Sequence, residues 1–152
     1  APRSRSPRRS RATRSPSAVH SSGASAGFAA RRPSEQQTVL SGDIGVAGNA
    51  ADNSFYVVQI DRNATLATTL DGLTISGGNA DGTFIDGVRY GSGAGVNMEF
   101  GSSLTLRGVI LENNRAADGG GAVQFSERGR LENVIVRNNS APAGGGGFHA
   151  GR

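Results

Sequence analysis

The side chains able to do chemistry in this 152-residue chain are twelve carboxylates and sixteen arginines, with two histidines, His20 and His149, and no cysteine or lysine. The absence of Cys excludes a disulfide framework, a thiolate zinc site and a cysteine nucleophile together. Both imidazoles lie toward the chain ends, so a histidine triad or a His-rich metal site would have to draw on those ends. That leaves carboxylate chemistry. Glycoside hydrolysis needs two carboxyl groups about 5 to 9.5 Å apart across one groove. Polar chemistry clusters in one stretch, 79–92, where Asp81, Asp86, Arg89 and Tyr90 fall within ten residues. An aromatic with Arg and Asp on a loop suits contact with a carbohydrate or a surface protein; the plainer reading is a solvated corner loop. Gly77-Gly78-Asn79-Ala80-Asp81 is like part of a calcium-binding nonapeptide, but such sites need tandem copies and this one occurs once. No cofactor is therefore assigned, and Ca²⁺ is possible but unsupported.

A net charge of +4 and a pI near 10.9 suggest nucleic acid until the charges are located. Residues 1–36 hold eight arginines and a single acid, Glu35, whereas 37–152 hold eight arginines and eleven acids. The basic character belongs to an Arg/Ser/Pro/Ala-rich tail, expected to be disordered because Val19 and Phe28 are its only branched or aromatic apolar residues and cannot build a core. Such a tail could hold RNA, but no aromatics interleave its arginines as single-strand binders require. No nucleic acid is expected for the body. No 7 to 15 residue apolar stretch follows the positive charges, so the tail does not read as a signal peptide. No apolar run is long enough for a transmembrane segment.

The elements that must position any site begin after residue 37. Short β-branched runs, Phe55 to Ile60, Leu70 to Ile75, Leu104 to Leu111 and Leu131 to Val136, are bounded by Gly and Asn and read as strands. Residues 93–125 align without gaps on 118–150 at an offset of 25. This brings together Met98, Val123 and Phe148, then Phe100 with Phe125, Leu106 with Leu131, and Leu111 with Val136. Leu70, Gly72, Leu73 and Ile75 repeat Leu106, Gly108, Val109 and Leu111 at an offset of 36, which places eleven surplus residues in the 79–92 loop. Residues 38–60 supply a looser first coil with Leu40, Ile44 and Ile60. An all-β solenoid is the expectation, a parallel β-helix of about four coils of about 25 residues, with like side chains stacked from coil to coil. Gly108 should allow a sharp bend, and Asn113 and Asn138 should close strands in the left-handed conformation and stack as a ladder. In this register no column of acids forms: Glu99 falls on Gln124 and Glu112 on Arg137, the latter an opposite-charge surface pair.

Gly120-Gly121-Ala122-Val123 resembles the GGA[IVL] element, and Leu111-Glu112-Asn113-Asn114 and Val136-Arg137-Asn138-Asn139 resemble FxxN elements, of polymorphic outer-membrane-protein repeats. More broadly, LDGLTISGGNA followed by GGG and NNSA is similar to right-handed parallel β-helix proteins of the pectate-lyase-like superfamily, over about residues 39–150. Leu and Val stand where the motif has Phe. The resemblance implies a right-handed β-helix over 37–152, expected to be a fragment of a longer solenoid. It also implies an extracellular or cell-surface location and a non-catalytic structural or adhesive role in an exported bacterial protein. The alternative is a fragment of a polysaccharide lyase or glycoside hydrolase. Because no cap is visible in the repeat pattern, end-to-end self-association is expected when the chain is expressed alone.

Overall fold

The computed structural model describes residues 38–62, 64 and 68–150, and the tail expected at 1–36 lies outside them. Among the described residues the fold is all-β, with one turn of 3-10 helix at Ala50–Asp52. Three parallel sheets make its body. The first joins β1 (Thr38–Ser41), β4 (Leu73–Ser76), β10 (Ile110–Glu112) and β14 (Ile135–Arg137) in that order. The second joins β2 (Val58–Ile60), β8 (Val96–Met98), β12 (Val123–Phe125) and β15 (Phe148–Ala150). The third joins β3 (Thr68–Asp71), β9 (Ser103–Arg107) and β13 (Arg128–Glu132). A short parallel pair, β5 (Asn79–Ala80) with β11 (Arg115–Ala116), lies beside them. From β2 onward the chain visits second, third and first sheet in the same cyclic order each time, passing through the short pair on its first two returns to the second and through a single Arg115–Ser140 bridge on the last.

Alternation within strands puts one face inward. Val96 and Met98, Leu104 and Leu106, and Val123 are all fully or almost fully buried, and they join Ile60, Ile75, Val109, Leu111 and Phe125 in one core. Leu70 pairs with Leu106 and Leu106 with Leu131, while Ile75 pairs with Leu111 and Leu111 with Val136, as the repeat predicts.

The register departs from the gapless repeat in the second sheet. Val123 lies beside Val96, not Met98, and Gln124 beside Asn97, so the offset there is 27. The cause is the turn into the third sheet, which shortens along the molecule. Val58 to Thr68 spans ten positions, Val96 to Leu104 eight and Val123 to Gly129 six, although each set of strands is in register. Nine of the eleven surplus residues therefore sit between β5 and Ser92, and two in the turn after β8. Phe100 falls in that turn and is 57% exposed, unlike the core residue Phe125 with which the repeat aligns it. Ile44, expected as a core residue of the first coil, is also exposed, because 42–54 forms a loop held by Asp43 and Asp52 accepting backbone N–H bonds from Gly48 and Val46.

Bends between the third and first sheets need a positive φ, which Gly72 (68°), Gly108 (56°) and Asn133 (52°) supply. Where the first sheet ends, two adjacent asparagines divide the work. Asn113 and Asn138 adopt φ of 55°, while Asn114 and Asn139 form the ladder. Asn114 is almost wholly buried; its Nδ2 donates to the carbonyls of Ile75 and Glu112 and to Asn139 Oδ1, and its Oδ1 accepts from the Gly78 N–H. Every polar atom of that side chain thus has a partner in a dry interior.

Candidate functional site

Inward alternation in the second sheet forces the middle residue of each strand outward. Gln59, Asn97, Gln124 and His149 therefore form one row across β2, β8, β12 and β15, in register from strand to strand. A cleft of about 290 Å³ opens on this face, lined by Asn97 and Gln124 with Tyr56, Phe100, Arg62, Arg89, Glu99, Ser92 and Ser126. Adjacent strands in a sheet lie about 4.8 Å apart, which fixes the spacing of the two amides. Gln124 Oε1 is buried and has no hydrogen-bond partner.

One wall is built by the surplus residues. They fold into an antiparallel hairpin, β6 (Thr83–Ile85) and β7 (Val88–Tyr90). Its two-residue turn has positive φ at Asp86 (50°) and Gly87 (80°), the pattern whose twist matches paired strands. Two contacts fasten it to the body. Arg89 donates twice to Asp118, Nε to Oδ2 at 2.8 Å and Nη2 to Oδ1 at 2.9 Å, and also to the Gly82 carbonyl. Tyr90 stacks on Phe55 at 4.9 Å and packs beside Tyr56 at 5.6 Å. The Arg89 guanidinium also lies 5.3 Å over the Phe84 ring.

The opposite wall is the turn after β8. Ser102 Oγ donates to the Glu99 carbonyl and the Gly101 N–H to Glu127 Oε1, which fixes the turn carrying Phe100. Glu99 accepts from Arg62 at 3.1 Å and from Gln59 at 3.4 Å.

The electrostatics follow from these pairs. The hydrogen bond from Arg89 holds the Asp118 carboxyl below the usual carboxylate range and raises the guanidinium in turn. Burial pushes the Tyr56 phenol up, helped by Tyr90, Glu99 and Asp118, so it remains a protonated donor at any physiological pH. A general acid needs a carboxyl whose pKa is raised; Asp118 is displaced the other way. Among the described residues no three His, Asp or Glu side chains converge as metal ligands, and no helix is long and apolar enough to cross a membrane.

The four residues singled out in the sequence are not one cluster. Arg89 lines the cleft, and Tyr90 braces the hairpin from the side of Phe55. Asp81 accepts from the Thr83 N–H at 2.9 Å and is held below its ordinary range by Thr83, so it closes a turn. Asp86 sits in the hairpin turn. The gapless repeat hides the row of amides, since it sets Asn97 against Ala122 and Gln124 against Glu99. Its signal is nonetheless plain: Val58-Gln59-Ile60, Val96-Asn97-Met98 and Val123-Gln124-Phe125 each place an amide between two apolar residues.

Compared with known proteins, the chain matches no protein family, no curated protein and no solved structure.

Proposed function

We propose that residues 37–152 form a right-handed parallel β-helix that serves as a non-catalytic structural and adhesive segment of an exported cell-surface protein. The cyclic return of the chain to three parallel sheets, with like residues in register, favours about four coils over separate packed sheets. The surface location rests on the resemblance to polymorphic outer-membrane-protein and pectate-lyase-like repeats. The observation that carries the functional reading is the pairing of both carboxylates bordering the cleft with arginine, Asp118 with Arg89 and Glu99 with Arg62. Both carboxylates are thus occupied by an arginine, which suits a surface that binds without turning over what it holds. No cleavage of pectin, alginate or hyaluronan is expected with Ca²⁺ supplied, followed as new reducing ends or as unsaturated uronate absorbance. Turnover that disappears in Asp118→Asn would overturn the reading in favour of a lyase or hydrolase fragment.

A further inference from the structure

We infer that the cleft on the second sheet binds a neutral pyranose unit of a glycan, with Asn97 and Gln124 as its polar contacts and Phe100 as its stacking platform. The inference rests on the adhesive reading and adds the chemical class of the ligand.

Charge decides the class first. The guanidiniums of Arg62 and Arg89 face the cleft, but each is bonded to its own carboxylate, at 3.1 and 2.8 Å. Each cation has a carboxylate beside it, so a uronate, sulfate or phosphate gains little net attraction over a neutral ligand, and an ammonium gains as little. The cleft is therefore locally neutral. What it offers is amide and phenol hydrogen bonding. An amide presents a donor and an acceptor side by side, and a sugar hydroxyl is both at once, so neighbouring hydroxyls and an amide satisfy each other in pairs. Asn97 and Gln124 stand one strand spacing apart on a rigid parallel sheet, so both are positioned before a ligand arrives. Gln124 Oε1 is buried without a donor, so turning this amide toward a hydroxyl in the cleft breaks no hydrogen bond of that oxygen. Tyr56, a phenol protonated at neutral pH, lines the cleft as a further donor.

The apolar component is equally specific. Phe100 is 57% exposed at the rim of a polar cleft, on a turn pinned by Ser102 and Glu127. A pyranose has a C–H face and hydroxyl edges, and a rigid exposed ring next to a row of amides complements both at once. A peptide would meet the same ring, but its backbone would find no sheet edge here, since β8 and β12 are paired on both sides. The volume, about 290 Å³, has room for one ring and its substituents, so modest affinity is expected from one site, with strength gained by many copies on a surface.

Saturation-transfer NMR on the full chain tests this with the methyl glycosides of glucose, galactose and mannose, their neutral linear trisaccharides, trigalacturonate and chitosan trimer. At least one neutral glycan should receive saturation at its ring C–H protons. Its affinity should fall tenfold or more in Phe100→Ala and in Gln124→Ala and stay unchanged in Arg128→Ala, with circular dichroism of all variants superimposable on the parent. Preference for a charged trimer, neutral binding that persists in both cleft variants, or no binding across the panel would each overturn the inference. Cleavage of a polysaccharide would instead remove the non-catalytic reading while leaving the observed cleft contacts in force, so the two failures are distinguishable.

Discussion

Asn114 shows how much one side chain can hold in this fold. It bridges the Ile75 carbonyl on one strand of the first sheet, the Glu112 carbonyl on the next and Asn139 beyond it, and receives the Gly78 N–H from below. Its neighbour Asn113 contributes only a backbone conformation, φ 55°, on an exposed corner. The two therefore respond oppositely to substitution. Asn114→Leu has a similar shape but leaves several buried polar groups without partners, each costing about 1 to 3 kcal/mol. We expect that change to remove about 3 kcal/mol or more of stability, read as a lower urea midpoint, whereas Asn113→Gly should stay within about 0.5 kcal/mol because Gly tolerates a positive φ. Similar losses at both positions would mean that the ladder is not satisfied as described. The surface pairs are a different case: Arg137 and Glu112 meet at 2.6 Å, yet Arg137 is more than half exposed, so solvent screening leaves such a pair worth about 1 kcal/mol or less.

At the scale of elements, the β6–β7 hairpin is the piece whose attachment responds to pH. Its two fastenings differ in kind, an aromatic stack of Tyr90 on Phe55 and a charged pair between Arg89 and Asp118. The Asp118 pKa is lowered in the fold, first by the hydrogen bond from Arg89 and then by its charge, with burial opposing. A carboxyl lowered on folding adds stability that is full above its unfolded value and is lost as the pH falls through the folded one. The clamp should thus hold unchanged from neutrality down to about pH 4 and release only below it. In amide NMR spectra, Phe84 and Arg89 should shift together in that acid range and not between pH 5 and 8, and Asp118→Asn should abolish the shift. Movement between pH 5 and 8 would show that the Arg89–Asp118 pair does not control the hairpin.

The elements also show what a sequence of this kind reveals and what it conceals. The strands and the columns Leu70–Leu106–Leu131 and Ile75–Leu111–Val136 were legible because apolar side chains recur with period two inside strands and at a fixed interval between them. The second sheet was misregistered because a gapless alignment cannot show a turn that loses two residues at each return, and Val96 and Met98 are equally good interior residues for Val123 to meet. That two-residue slip between β8 and β12 keeps the inward and outward faces correct while moving their partners, although Val123 still meets Phe148 at the 25-residue offset, so the core could be read and the row of amides could not. The hairpin appeared only as surplus length. Asp86-Gly87 between Ile85 and Val88 was its available signal, a turn dipeptide flanked by β-branched residues.

Considered as a whole molecule, the three sheets share a polarity: β13, β14 and β15 are edge strands at the same end. Columns that are sealed in the middle open there. Leu106 is fully buried and its partner Leu131 is 43% exposed; Val123 is fully buried and its partner Phe148 is 39% exposed. Among the described residues this end combines strand backbone without a further strand partner and half-covered core side chains, the combination that recruits another strand. The opposite edges, β1, β2 and β3, carry the same inward pattern through Leu40, Ile60 and Leu70, so one molecule's end can continue the columns of the next in a head-to-tail contact that does not close on itself. We expect the isolated chain to sediment with a coefficient that rises with concentration through the micromolar range. Leu131→Lys with Phe148→Lys places charges that point inward at the edge, a device natural sheets use against such pairing, and should shift the boundary to a single monomer species. A parent chain that stays monomeric at tens of micromolar would show that these edges are covered in solution, and that the exposure of Leu131 and Phe148 does not drive association.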